Sequence, residues 1–224
     1  MIVLDIETTG LFPSPPAPAK PDYIVAIGVL DDFSLNIFSA PHSVFATDIR
    51  VDSTEAHLAA IEKEIIANFS RWFRNHTEDY FVTYNGRLFD IPFITTKILQ
   101  NNTEFSENLA DQLLSTVNID LIEYARFATG RRIGKDDACR KLANLYVPRK
   151  TEGLWNARIY KNPHLLSEND HYEMLHHNAV DLTATARLYN VVRRFPDFRD
   201  WIAYNDGKGE DRSVPNAKID DVSD

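Results

Sequence analysis

The 224-residue sequence holds a single cysteine, Cys139. One thiol cannot close an internal disulfide or build a cysteine zinc cluster, which suits a reducing compartment and leaves Cys139 as an expected bystander. Long apolar runs are also missing: no stretch approaches the roughly 18 continuous apolar residues that a membrane span needs. The first ten residues carry no basic segment followed by an apolar run, so no secretory leader is expected there. These absences together predict a cytoplasmic protein with no membrane partner. Positive charge is in deficit, with 24 Lys and Arg against 33 Asp and Glu and a formal net charge of -9 at pH 7. That balance argues against a protein that coats nucleic acid through a general basic surface, while leaving room for a nucleic-acid enzyme whose acids gather around metal ions. Any basic footprint must be local. The run "RRIGKDDACRK", with Arg131, Arg132, Lys135, Arg140 and Lys141, is the best candidate, and a solvated helix face is the alternative for it.

What the chain does contain is an ordinary globular mixture, 44% hydrophobic and 25% charged, long enough for one well-filled core. One domain is expected over residues 1–205, followed by a polar, acidic tail over 206–224 whose composition predicts disorder. No internal repeat is present. "MIVLDIET", "DYIVAIGVLDD" and "SLNIFSA" read as three successive strands. Between the first two lies "GLFPSPPAPAKP", whose five prolines predict an extended loop. Leu58, Ile61, Ile65, Ile66, Phe69, Trp72 and Phe73 make one apolar stripe and predict a helix. "YFVTYN" reads as a fourth strand and runs into "GRLFDIPFITTKILQNN", a turn followed by a second amphipathic helix. From Asn118 to Tyr146 the pattern is helical, interrupted by "TGRRIGKDD", and a long helix is expected from Glu168 to Arg194. Strands first and helices interleaved later predict an α/β fold, a mixed sheet flanked by helices on both faces.

Against that frame the acids of "VLDIETTG" need a reason. Asp5 and Glu7 are two apart on a strand, so both carboxylates project from one face of it. Two anions so placed repel, and a divalent cation between them would relieve the repulsion; oxygen ligands suit magnesium or manganese. Short motifs arise by chance, and 33 acids in 224 residues predict about five acid-x-acid triplets. Glu62/Glu64 and Glu168/Asp170 are such triplets, and their helical contexts mark them as solvated or N-terminal charges. Only Asp5/Glu7 sits within an apolar strand. A second element is "YNGRLFDIPFI", where Asp90 stands at a helix start with Pro92 in its first turn; an ordinary N-cap is the plain alternative. A third is "HYEMLHHNAVDLTATARLY". Leu175, Ala179, Leu182, Ala186 and Tyr189 form a stripe, and at roughly 100° per residue His177 and Asp181 fall about 40° apart, nearly opposite it. His176 lies roughly 140° from Asp181. A solvent-facing His/Asp pair is the alternative here.

In order, these segments resemble the motifs of the DEDD-type 3′–5′ exonucleases of the ribonuclease H-like superfamily: "DIETTG" the first, "YNGRLFDIPF" the second, "HHNAVDLTAT" the third. The second is especially similar to that of proofreading domains of family B DNA polymerases. The third resembles a branch in which histidine replaces the usual tyrosine. The resemblance implies a ribonuclease H-like mixed central sheet and a metal-binding tetrad of Asp5, Glu7, Asp90 and Asp181. It implies two divalent cations, Mg2+ or Mn2+, and the 3′ end of single-stranded DNA or RNA as partner. The general base would be His177, four residues before the last acid, or alternatively His176, five before. Thr8, Thr9, Gly10, Leu11 and Phe12 would meet the terminal nucleotide, and Asn85 and Phe89 the penultimate one. Plain alternatives are a turn at Gly10, an Asx turn at Asn85 and core packing for Leu11, Phe12 and Phe89. Asp120 is expected to start a helix or accept a buried hydrogen bond, and Arg149 or Lys150 could meet phosphate. A binding module that cleaves nothing, or a structure-specific endonuclease, would fit the same fold.

Overall fold

The computed structural model describes residues 1–10, 22–32, 34–46, 54–76, 80–101, 106–148 and 165–205. Leu11, Phe12, the rest of the proline-rich stretch, Arg149, Lys150 and the 206–224 tail lie outside the described residues. Five strands form one mixed sheet, β1 (Ile2–Thr8), β2 (Ile24–Leu30), β3 (Leu35–Ser39), β4 (Phe81–Thr83) and β5 (Asn118–Asp120), in the order β3-β2-β1-β4-β5. The first three pair antiparallel; β4 runs parallel to β1, and β5 parallel to β4. β1 is central, and its alternation divides the interior. Ile2, Leu4 and Ile6 enter one apolar cluster, while Val3 enters the other. Because both faces are covered, β1 and β2 read as near-continuous apolar runs.

The first cluster is closed by α1 (His42–Phe45), α2 (Thr54–Phe73), α3 (Asp90–Asn101) and α4 (Ser106–Ser115). The second is closed by α5 (Leu121–Thr129), α6 (Lys135–Ala143), α7 (Glu168–Val192) and α8 (Pro196–Asn205). Among the described residues no helix is long and apolar enough to cross a membrane. The α2 stripe is buried as expected at Leu58, Ile61, Ile65, Ile66, Phe69 and Phe73. Glu62, read as a solvated charge, is instead 4% exposed. It accepts from Ile24 N at 2.8 Å, the first residue of β2, and pairs with Lys97 Nζ of α3 at 3.2 Å. Burial pushes its carboxyl upward in pKa, against the pull of Ile24 N–H and Lys97. Glu168 and Asp170 do open a helix: Ser167 and Asp170 form a reciprocal capping box at the start of α7.

Three elements depart from expectation. Residues 118–120, read as helix, are a strand beside β4, and the helix begins only at Leu121 with Asp120 as its N-cap. Three residues are too few to display a period of two. α4 and α8 were not expected. In α8 the apolar positions Phe198 and Trp201 are embedded in "PDFRDWIAYN", yet both are buried, with Phe198 edge-on to Tyr124 at 4.8 Å. Gly130 ends α5 in the left-handed conformation, φ 70°, which produces the interruption seen at "TGRRIG".

Candidate active site

The site lies where β1 outruns β4. β4 pairs with β1 only at Ile2 and Val3. Ile2 N donates to Tyr80 O on that edge, and the two-residue period turns Ile6 N the same way, beyond the end of the shorter strand. A buried N–H needs an acceptor. Asp90, the first residue of α3 and itself buried, supplies it: Ile6 N donates to Asp90 Oδ1 at 2.9 Å. This one bond fastens the second motif to the first.

The turn that delivers Asp90 is itself held. Asn85 has φ 74°, a left-handed conformation that asparagine tolerates. Asp120, 1% exposed, accepts from Asn85 N at 2.6 Å, Arg87 N at 3.0 Å and Ile122 N at 3.3 Å. Asp120 thus both starts α5 and accepts buried hydrogen bonds, the two expectations for it. Asn85 Oδ1 accepts from Arg132 Nη2 at 2.9 Å, and Tyr84 Oη donates to Ile133 O at 2.8 Å. The turn therefore docks against the loop between α5 and α6. Phe89 is half-buried, packing edge-on against Phe93 at 5.7 Å.

The third segment arrives on α7, which packs on β1 and β2 and on α6. His177 and Asp181 share one side of it, with His177 Nε2 3.5 Å from Asp181 Oδ2. Each is 7% exposed, so the alternative of a solvent-facing His/Asp pair does not hold. This side of the helix faces α6 and the acid-bearing end of β1. His176 points elsewhere, its ring parallel to that of Tyr172 at 6.2 Å. Lys135, the first residue of α6, stands between the segments. Its Nζ is 2.5 Å from Asp181 Oδ2 and 3.7 Å from Asp5 Oδ1.

Asp5, Asp90, Asp181 and His177 are therefore brought to one place. Glu7 is buried on the same side of β1 as Asp5, nearer the end of the strand. Thr8 Oγ1 donates to Gly10 O at 2.6 Å, and Thr9 Oγ1 accepts from Tyr23 N at 2.9 Å, so both hydroxyls hold the strand end. Gly10 gives room to Asp22: a Cβ there would come within 2.4 Å of Asp22 Oδ1. Two contributors were not expected at the acids: Lys135, singled out only as part of a candidate basic footprint, and Asn178, whose Nδ2 donates to Asp5 Oδ2 at 3.0 Å.

The electrostatics are those of an anion excess. Burial, and then the charge of Asp5, hold the Asp90 carboxyl well above the usual carboxylate range, although Ile6 N–H and Lys135 pull the other way. As they stand, no three Asp, Glu, His or Cys side chains among the described residues are grouped so as to hold a metal ion. The Lys135 ammonium stands between two of the carboxylates, and Asp90 is turned onto Ile6 N. The donor set nevertheless fits a hard divalent cation: carboxylate oxygens from three segments, too many for one ammonium to neutralise.

Among curated proteins none matches this chain. Among solved structures, that of the family B DNA polymerase from the hyperthermophilic archaeon Pyrobaculum calidifontis is similar, with a TM-score of 0.57 and 16% identity over 85% of this chain. The chain corresponds to 24% of that polymerase's length, and at such identity the likeness is one of fold. The sequence also matches a protein-family profile from residue 2 to residue 193, from the first residue of β1 to just past the end of α7. With that match spanning the whole sheet and every acid described above, the chain belongs to the ribonuclease H superfamily.

Proposed function

We propose that the protein is a divalent-metal-dependent 3′–5′ exonuclease that hydrolyses phosphodiester bonds at the 3′ ends of single-stranded DNA or RNA. The observation that carries this reading is the convergence of Asp5, Asp90 and Asp181, up to 176 positions apart in the chain, on one spot where their charge is undercompensated. Asp5, Glu7, Asp90 and Asp181 would hold two Mg2+ or Mn2+ ions, which supply a water of lowered pKa and neutralise charge on the departing 3′ oxygen. His177, with Nε2 3.5 Å from Asp181 Oδ2, would accept the water's proton at that nitrogen. An imidazole with a reference pKa of about 6.5 does so at neutral pH, where a tyrosine, near 10, would need help. Asp181 beside it steadies the imidazolium that results. Asn85, held by Asp120 and Arg132, and Phe89 offer a polar group and a ring edge to the penultimate nucleotide, with Thr8 at the terminal one and the buried Thr9 and Gly10 shaping the strand end behind it.

The test is direct. End-labelled single-stranded DNA and RNA, incubated with Mg2+ or Mn2+, should lose mononucleotides from the 3′ end with wild type and not with Asp5→Ala. A closed circle should stay intact; its cleavage would replace the exonuclease reading with an endonuclease one. No release from any substrate would leave a binding module that keeps the fold.

The histidines make a second prediction. His177→Ala should lower kcat by roughly 10²–10⁴, the scale of general-base assistance, with little change in metal affinity. His176→Ala should have a small effect, since its ring lies against Tyr172 rather than Asp181. A larger loss from His176→Ala would transfer the base role to that residue.

A further inference from the structure

Asn178 lies between His177 and Asp181 in the sequence, and it is completely buried. Its Nδ2 donates to Asp5 Oδ2 at 3.0 Å and to Asp5 O at 3.3 Å, so both of these bonds go to one residue 173 positions away. The other end of the amide has no such reward. Asn178 Oδ1 is buried without a hydrogen-bond partner among the described residues. It rests against Gly28 of β2, where an added Cβ would come within 1.8 Å of it and within 2.6 Å of Leu182 Cδ1. Gly28 is the register partner of Asp5 on the neighbouring strand.

An amide so placed is a poor choice for stability. A buried carbonyl without a donor costs the full desolvation of that group, and an apolar side chain of the same shape would avoid it. Local rules broken in this way concentrate at functional sites. What asparagine supplies, and leucine could not, is the N–H donor to Asp5.

From this we infer that Asn178 is a positioning residue which selects the oxygen of Asp5 that is offered to a cation, with Gly28 providing the space it needs. By engaging Oδ2, it turns Oδ1 toward the place where Lys135 Nζ sits 3.7 Å away. A carboxylate torsion is broad and roughly two-fold, so without that bond Asp5 would sample orientations that present neither oxygen well. The inference rests on the metal-dependent reading above and deepens it: the anchor of the cation site is fixed from α7 by an uncharged side chain.

The test is Mn2+ titration of the full chain by calorimetry, for wild type, Asn178→Ala and Asn178→Leu, beside circular dichroism and kcat and KM on 3′-labelled single-stranded DNA. Alanine leaves a gap and leucine fills it, so the two disturb packing in opposite senses while both delete the N–H. Both variants should bind Mn2+ about tenfold more weakly, in the range seen when a hydrogen-bond partner of a metal ligand is removed, with kcat lowered and KM unchanged. If leucine prevents folding, Asn178→Val, which fills most of the space and carries no donor, replaces it in the comparison. A folded variant without the amide that binds Mn2+ as tightly as wild type overturns the inference, as does a loss confined to the alanine variant, which traces to a cavity. Wild type that binds no Mn2+ ends the metal reading and the inference with it. Wild type that binds Mn2+ and releases no nucleotide ends only the exonuclease reading, and the titration still decides the role of Asn178.

Discussion

Asp5→Asn should abolish nucleotide release while leaving the metal-free protein at least as stable as wild type. Asp5 is tied to three parts of the site: Lys135 at 3.7 Å, Asn178 at 3.0 Å, and Asp90, whose pKa is raised by burial and then by repulsion from Asp5. An amide keeps the shape and can still accept from Asn178, but it is a weak ligand for a hard cation. Charge neutralisation by the ions is worth several kcal/mol, which at about 1.36 kcal/mol per tenfold predicts a loss of roughly 10³ or more in rate. The stability side follows from Asp90. Its folded pKa is raised above the unfolded value of about 3.9, so the native state binds more protons than the unfolded chain between the two. That contribution is complete below the unfolded pKa and is lost as pH rises through the folded one. Thermal unfolding in a chelator should therefore show wild type losing stability as pH rises from about 4, with a shallower loss in Asp5→Asn. Mn2+ should restore wild type and do little for the variant. An Asp5→Asn protein several degrees less stable than wild type, at every pH, would make Asp5 a structural counterion for Lys135.

How much of this the sequence disclosed depends on whether a residue's partner is near it in the chain. β1 and β2 were legible because burial on both faces leaves an apolar run, and α2 because its stripe repeats over twenty residues. Asp5 and Glu7 stood out for the same reason, as charges inside such a run. The fold class follows from the order of strands and helices, the superfamily is what the resemblance of the three motifs implies, and the match over residues 2–193 agrees with both. β5 was hidden, since its identity comes from pairing with β4 rather than from "NID" itself. Glu62 looked solvated because its partner Lys97 and its acceptor role toward Ile24 lie on other elements. Asn178 and Lys135 show the same limit within the site. Nothing local marks an asparagine that bonds a residue 173 positions away, or a lysine at a helix start that turns inward to the acids.

Lys135 gives the last prediction, which sets stability against metal affinity. Its side chain is 12% exposed, and the side chain of Asp181, to which it is bound at 2.5 Å, is 10% exposed. Lys135→Met keeps the length of the chain and removes the charge. Deleting one member of a buried pair typically costs 3–5 kcal/mol because the remaining charge is left uncompensated. The lower end applies here, about 3 kcal/mol, since an orphaned carboxylate can take up a proton instead. For a domain of this size that corresponds to a fall of about 6–12 °C in Tm, measured in a chelator at neutral pH. The deficit should shrink as pH falls and the carboxylates protonate. With saturating Mn2+ the order changes. If the ammonium stands where a cation binds, it competes with that cation, so Lys135→Met should bind Mn2+ more tightly than wild type and recover most of its lost Tm. Weaker Mn2+ binding in the variant would mean that Lys135 holds Asp5 and Asp181 in the geometry the ion needs. An unchanged Tm without metal would mean that the 2.5 Å contact contributes nothing in solution.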